Sequence, residues 1–229
     1  MRKLFSLCVL VVLASSFYGY GQTTNKAAEA ALRKGNNAGQ NNDLSTAIIN
    51  FTKAIELDPK LASAYSNRGK VYNALKKYEE SLADFTKVIE LDPKYVFAYN
   101  DRGNAYNASK KYEEALADYT KAIVLDPKNV NAFYNRGIAY SNLKKYEESL
   151  ADFTKVIELD SKYADAYNNR GVAYNALKKY EEALADYTKA IELGPKYADA
   201  YYNRGLAYKA LGKTKEAEAD FAKAKSLEK

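Results

Sequence analysis

The sequence predicts an all-α solenoid of six 34-residue helix-turn-helix units, and three observations carry that prediction. Arg68-Gly69, Arg102-Gly103, Arg136-Gly137, Arg170-Gly171 and Arg204-Gly205 recur every 34 residues, and Lys34-Gly35 lies one step earlier. Pro59, Pro93, Pro127 and Pro195 keep the same step, with Ser161 where a fifth proline would fall. Between these landmarks apolar residues recur at helical spacings of three and four. Self-similarity at one fixed period marks an array of supersecondary units that bury their apolar faces on one another. A length of 229 residues alone suggests one or two domains. The repeat overrides that expectation.

Taken in order, residues 1–21 read as a secretory signal peptide. Arg2 and Lys3 precede an apolar run from Leu4 to Ala14, and small residues including Gly19 and Gly21 follow. A basic head, an apolar stretch short of the ~18 residues a membrane span needs, and a small-residue cut site have that meaning. Cleavage there removes Cys8, the single cysteine, and lowers the formal charge from +6 to +4. Residues 22–27 form a short linker. The units are then 28–61, 62–95, 96–129, 130–163, 164–197 and 198–229. In the second unit Tyr65, Gly69 and Tyr72 mark the first helix, and Leu82, Phe85, Val88 and Ile89 mark the second. Asp92-Pro93 ends it, because a residue before proline is pushed out of helical geometry. Gly69 sits where helix propensity disfavours it by about 1 kcal/mol relative to alanine. Its recurrence implies a helix crossing too closely for a β-carbon, with Ala115, Ala122, Ala183 and Ala190 as small partners.

Tyr65-x-x-Arg68-Gly69-x-x-Tyr72, then Ser81-x-x-x-Phe85 and Pro93, resembles the tetratricopeptide repeat, and the resemblance runs from about Ala28 to Lys229. The departures are Tyr or Phe for Trp, Arg for Leu, Ser161 for Pro, and a weaker opening at Ala31 and Ala38. The resemblance implies a right-handed superhelix whose first helices line a concave groove, and binding of protein segments in that groove.

The arginines have candidate partners within the sequence. The five units with Arg68, Arg102, Arg136, Arg170 and Arg204 also carry Asp84, Asp118, Asp152, Asp186 and Asp220, whereas the first unit has Lys34 and Asn50. This predicts a recurring Arg–Asp pair between first and second helices, within a unit or across a junction. Glu218 and Lys225 replace the Leu and Ile that inner units place seven residues apart, as a terminal cap would require. Lys76–Tyr95 and Lys144–Tyr163 differ only at Pro93 against Ser161, so second helices are near copies and carry little binding information.

Composition narrows the function. There is no His, no Trp and no cysteine beyond Cys8, so the commonest general base, the thiolate nucleophile and nearly every zinc constellation are absent. No glycine-rich phosphate loop or nucleophile motif appears. The expectation is a non-enzyme without cofactor or metal. First helices vary instead. Their stripe opposite Tyr65, Gly69 and Tyr72 spans thirty positions over units two to six, twelve of them Asn, with Lys70 and Lys209 against Asp101, Asp165 and Asp199. That near-neutral balance argues against nucleic acid, whose affinity comes from Lys and Arg facing phosphates. It also lacks the basic cluster with which the family's best-known clamp holds a terminal carboxylate. Asn paired with aromatic residues suits an extended protein segment. The column Asn67, Asp101, Asn135, Asn169 and Asn203 recurs so regularly that it reads as a bridge between neighbouring helices. The candidate partner-binding residues are Phe97, Asn100, Asn104, Tyr134, Ile138, Asn168, Val172, Tyr202 and Leu206. The expected function is a protein–protein interaction scaffold or adaptor, exported to the periplasm or secreted from a bacterial cell, with no membrane span after cleavage. The alternatives are a self-associating structural solenoid and a periplasmic chaperone-like assembly factor.

Overall fold

The computed structural model describes residues 25–227. The segment read as a signal peptide, and the linker up to residue 24, lie outside the described residues. Within them the chain is helical throughout, with twelve α-helices in tandem pairs and no strand. The first helices of the pairs are α1 (Lys26–Gln40), α3 (Ala62–Ala74), α5 (Val96–Ala108), α7 (Val130–Asn142), α9 (Ala164–Ala176) and α11 (Ala198–Ala210). The second helices are α2 (Leu44–Leu57), α4 (Tyr78–Leu91), α6 (Tyr112–Leu125), α8 (Tyr146–Leu159), α10 (Tyr180–Leu193) and α12 (Thr214–Leu227). The chain divides into two compact units, one ending at Lys111 and holding α1–α5, the other beginning at Tyr112 and holding α6–α12.

The turn inside each pair follows one rule. First helices stop at a residue in the left-handed region, Lys76, Lys110, Lys144 and Lys178 with φ of 59–64° and Asn42 with φ 58°. The next amide then reaches back to a carbonyl five residues earlier, Lys77 N–H to Tyr72 at 2.8 Å and Lys179 N–H to Tyr174 at 2.9 Å. That six-to-one bond is the Schellman termination, which satisfies carbonyls orphaned at a helix end.

The turn between pairs does not depend on proline. α4 ends at Asp92 before Pro93, and α8 ends identically at Asp160 before Ser161. In both turns the aspartate side chain accepts from the amide two residues on, Lys94 and Lys162, at 3.0 Å. An Asx turn of this kind competes with the helix for the backbone. Proline reinforces a stop that aspartate already makes.

The core explains the glycines. A β-carbon on Gly35 would lie 2.5 Å from the Phe51 ring, on Gly137 2.9 Å from Phe153, on Gly171 2.7 Å from Tyr187 and on Gly205 2.7 Å from Phe221. The close approach foreseen from sequence is present. The groups nearest to it are aromatic rings of the paired second helix, and at the register of Ala115 and Ala183 the serines Ser81 and Ser149 donate to the Gly69 and Gly137 carbonyls. The alanines also meet the next pair. Ala183 and Tyr187 of α10 meet Ala207 of α11, and Val156 of α8 meets Phe133 and Ala166 of α7 and α9. Small residues on a second helix admit the first helix of the following pair. In α12 the positions expected to be polar, Glu218 and Lys225, are exposed.

Candidate functional site

The most regular polar feature is a structural clamp. Arg136 donates from Nε to Asp152 Oδ2 at 2.8 Å and from Nη2 to Asp152 Oδ1 at 2.7 Å, a fork-to-fork pair between α7 and α8. Arg68–Asp84, Arg170–Asp186 and Arg204–Asp220 repeat it, each within one helix pair. The remaining guanidinium nitrogen, Nη1, donates to a threonine of the preceding second helix: Arg68 to Thr52, Arg102 to Thr86, Arg136 to Thr120, Arg170 to Thr154 and Arg204 to Thr188. Aromatic rings three residues before and four after flank it, as Tyr167 and Tyr174 flank Arg170 at 5.7 and 6.0 Å. The pair is intra-repeat; the cross-junction bond goes to threonine. Sequence reasoning missed that partner, although Thr52, Thr86, Thr120, Thr154 and Thr188 recur in 34-residue steps. Burial is the largest influence on the Asp84 and Asp152 carboxyls and pushes both up, with the guanidinium working against it.

The asparagine column also joins helices. Asn67 donates to Asn36 at 2.9 Å, Asn169 to the Tyr134 hydroxyl at 2.9 Å and Asn203 to Asn168 Oδ1 at 3.0 Å, each reaching the preceding first helix. Asp101 meets Lys70 at 3.4 Å in the same sense. Burial raises the Asp101 carboxyl and Lys70 pulls it back.

The candidate binding residues fall into both units. In the first, Phe97 is 55% exposed and edge-on to Tyr95 with centroids 5.6 Å apart, while Asn100 and Asn104 are half-buried. In the second, Tyr134 and Ile138 are half-buried. Val172 and Leu206 are each 38% exposed and Tyr202 is 52% exposed. Tyr202 rests on Phe221 at 5.5 Å, and Tyr134 packs between Phe153 and Tyr163 at 5.8 and 5.0 Å. Asn168 differs from the rest. It is 5% exposed, and its amide is spent on Asn169 and Asn203, so it braces the face from beneath.

Around Tyr134 the second unit gathers residues that sequence reasoning did not assign to the site. Burial raises the Tyr134 hydroxyl most, followed by the Asp165 carboxylate and Tyr163. Burial likewise raises Tyr197, helped by its hydrogen bond to Asp165 and by Tyr134 and Asp199 nearby. Three tyrosines and two carboxylates therefore share one neighbourhood. The available signal was the column Leu61, Tyr95, Asn129, Tyr163 and Tyr197, one residue before each first helix. Among the described residues no three His, Cys, Asp or Glu side chains gather as metal ligands, and no helix is long and apolar enough to cross a membrane. The arrangement offers surface and hydrogen bonds.

Known proteins share this architecture. Family models for the tetratricopeptide repeat match residues 62–95, 130–163 and 164–197, and 85–117 and 186–219, and a further TPR repeat model matches 35–76 and 103–144. The Arabidopsis thaliana Hsp70-Hsp90 organizing protein 3 is 49% identical over 55 residues, which is 24% of this chain and 10% of that protein. YrrB, a TPR protein described as having an unusual peptide-binding site, is 29% identical with a TM-score of 0.63, over 77% of this chain and 91% of that one. A tetratricopeptide repeat protein from Parabacteroides merdae has a TM-score of 0.78 at 23% identity, over 89% of this chain and 80% of that one. Between residues 35 and 219 these models succeed one another without a gap, on the same residues that make the glycine contacts and arginine clamps; the chain belongs to the tetratricopeptide-repeat family.

Proposed function

We propose that this chain is a non-catalytic interaction scaffold, exported from a bacterial cell, that holds a protein segment on the first-helix face of its second unit. One observation carries the reading: Val172, Tyr202 and Leu206 stay exposed on α9 and α11 while Tyr187 of α10 is buried and Phe221 of α12 packs against Tyr202. Large apolar side chains kept in water on neighbouring helices mark a surface awaiting a partner more than a surface built for stability. YrrB, a TPR protein described by its peptide-binding site, and the organizing protein, named for Hsp70 and Hsp90, lend support. Export rests on the basic head and apolar run of residues 2–14.

The test is in-cell crosslinking of the full chain beside the triple variant Val172→Ala, Tyr202→Ala, Leu206→Ala, with subcellular fractionation and sequencing of the mature N-terminus. The reading expects crosslinked partners lost in the variant, an unchanged circular dichroism spectrum, and a mature start near Gln22. Partners that persist in the variant move the site elsewhere, and a cytoplasmic protein retaining Met1 removes export.

A further inference from the structure

We propose that the segment held by the second unit is basic as well as apolar, with a lysine or arginine seated among Tyr134, Tyr163, Tyr197, Asp165 and Asp199 while its apolar neighbours cover Val172 and Leu206. This rests on the reading above and names the chemistry of the partner.

The charge balance of the face supplies the argument. The chain as a whole carries +6, yet on α7, α9 and α11 the arginines are committed. Arg136, Arg170 and Arg204 each give both fork nitrogens to an aspartate and the third to a threonine. Apart from them, the one cation on these helices is Lys209, in the last turn of α11. Asp165 and Asp199 stand exposed in the first turns of α9 and α11, and neither has a Lys or Arg partner among the described residues. Lys162 and Lys196 lie in the turns just before these helices, and no ion pair among the described residues joins them to Asp165 or Asp199, so both carboxylates stand open to a cation.

The aromatic surroundings sharpen that complementarity. Tyr134 and Tyr163 lie 5.0 Å apart at 37° between ring planes, a half-buried tilted pair close to Asp165, whose neighbour one helical turn on, Asn169, donates to the Tyr134 hydroxyl. A cation placed over an aromatic face within about 6 Å of its centroid gains from the ring quadrupole, and a carboxylate at the edge adds charge-assisted hydrogen bonds. Tyr197, half-buried just before α11, also lies near Asp165, whose carboxylate helps to raise its hydroxyl. The chain already builds this combination internally at Arg68, Arg136, Arg170 and Arg204, each guanidinium flanked by rings and bound by aspartate. The cluster at the start of α9 and α11 sets half-buried rings beside exposed carboxylates, the same two kinds of group that hold those guanidinium groups.

The test selects a phage-displayed library of random dodecapeptides on the immobilised full chain, and measures the enriched, end-blocked peptides by fluorescence anisotropy. Enriched sequences should contain Arg or Lys next to Leu, Ile or aromatic residues. They should bind the double variant Asp165→Asn, Asp199→Asn about tenfold more weakly, or about 1.4 kcal/mol. The isosteric changes are exposed, so thermal unfolding should match the parent. Neutral sequences that bind both proteins equally, and are lost in the Val172→Ala, Tyr202→Ala, Leu206→Ala variant, overturn the basic segment and leave the scaffold reading standing. Failure of any sequence to enrich over bare support overturns both. Displacement by spermine at concentrations matching the peptide's own assigns the cluster to a small polycation and overturns the segment. Sedimentation that shows a dimer dispersed by the double variant assigns it to a second copy of this chain, with the same consequence.

Discussion

The first helix pair, α1–α2, and the fifth, α9–α10, close on themselves alike but are tied to their surroundings by different means. In both, a first-helix glycine lies under a second-helix ring, Gly35 under Phe51 and Gly171 under Tyr187. In the fifth pair Arg170 binds Asp186 and reaches back to Thr154 of α8. In the first, Lys34 is exposed and Asn50 donates to the Thr46 carbonyl of its own helix at 2.8 Å. Asn25 ties the start of α1 to the Leu57 carbonyl at the end of α2. The glycine–ring contact is thus common to both pairs, whereas the arginine, besides clamping its own pair, joins it to the helix before it. One residue satisfies two interfaces and so ties a repeat into its array.

The strongest way to break this contrast is to remove the acceptor. Asp186→Ala leaves Arg170 between two tyrosines with no carboxylate, and should cost about 2–4 kcal/mol, below the figure for a fully buried charge because Arg170 keeps 18% of its side-chain surface. Asn50→Ala removes one neutral hydrogen bond and should cost about 1 kcal/mol. Urea unfolding followed by circular dichroism measures both, and hydrogen exchange in α9 and α10 locates the first. Equal losses would mean that the clamp does not distinguish the two pairs.

Next in size is the contact both pairs share. Gly171→Ala should destabilise by about 1–3 kcal/mol, because a β-carbon 2.7 Å from the fully buried Tyr187 ring displaces it. The same change at Gly69 meets Phe85 at 3.1 Å, and the helix gain of about 1 kcal/mol should nearly cancel that strain. If Gly171→Ala were as mild as Gly69→Ala, ring displacement would cost little and the glycines would need another explanation.

How legible this was depended on the reach of each residue. The period, the turns and the Arg–Asp pairing were open to sequence because they repeat and because opposite charges announce each other. Thr154 was not, since a threonine near the middle of a helix looks like any half-buried polar residue until Arg170 is placed 3.1 Å away. Asn168 misled for a related reason. Its register put it on the face with Val172, but Asn203 from the next first helix draws it inward and covers it. The cluster at Tyr134 was hidden because Tyr163 and Tyr197 precede their helices, outside any helical stripe.

The finest test of the contrast concerns the second interface alone. Thr154→Val keeps the shape of the side chain and removes the hydroxyl that accepts from Arg170 Nη1, leaving the fork to Asp186 intact. Arg170 retains 18% of its side-chain surface, so water can reach the freed N–H and the loss should be about 0.5–1 kcal/mol. The effect should lie between pairs. Exchange should quicken at the α8–α9 boundary, with the protection of amides that close α9 onto α10 little changed. Thr154→Ser should restore most of it, because the oxygen and not the methyl makes the bond. A loss spread evenly over α9 and α10 would instead place the threonine in the pair's own stability, and the division of labour drawn between glycine and arginine would fail.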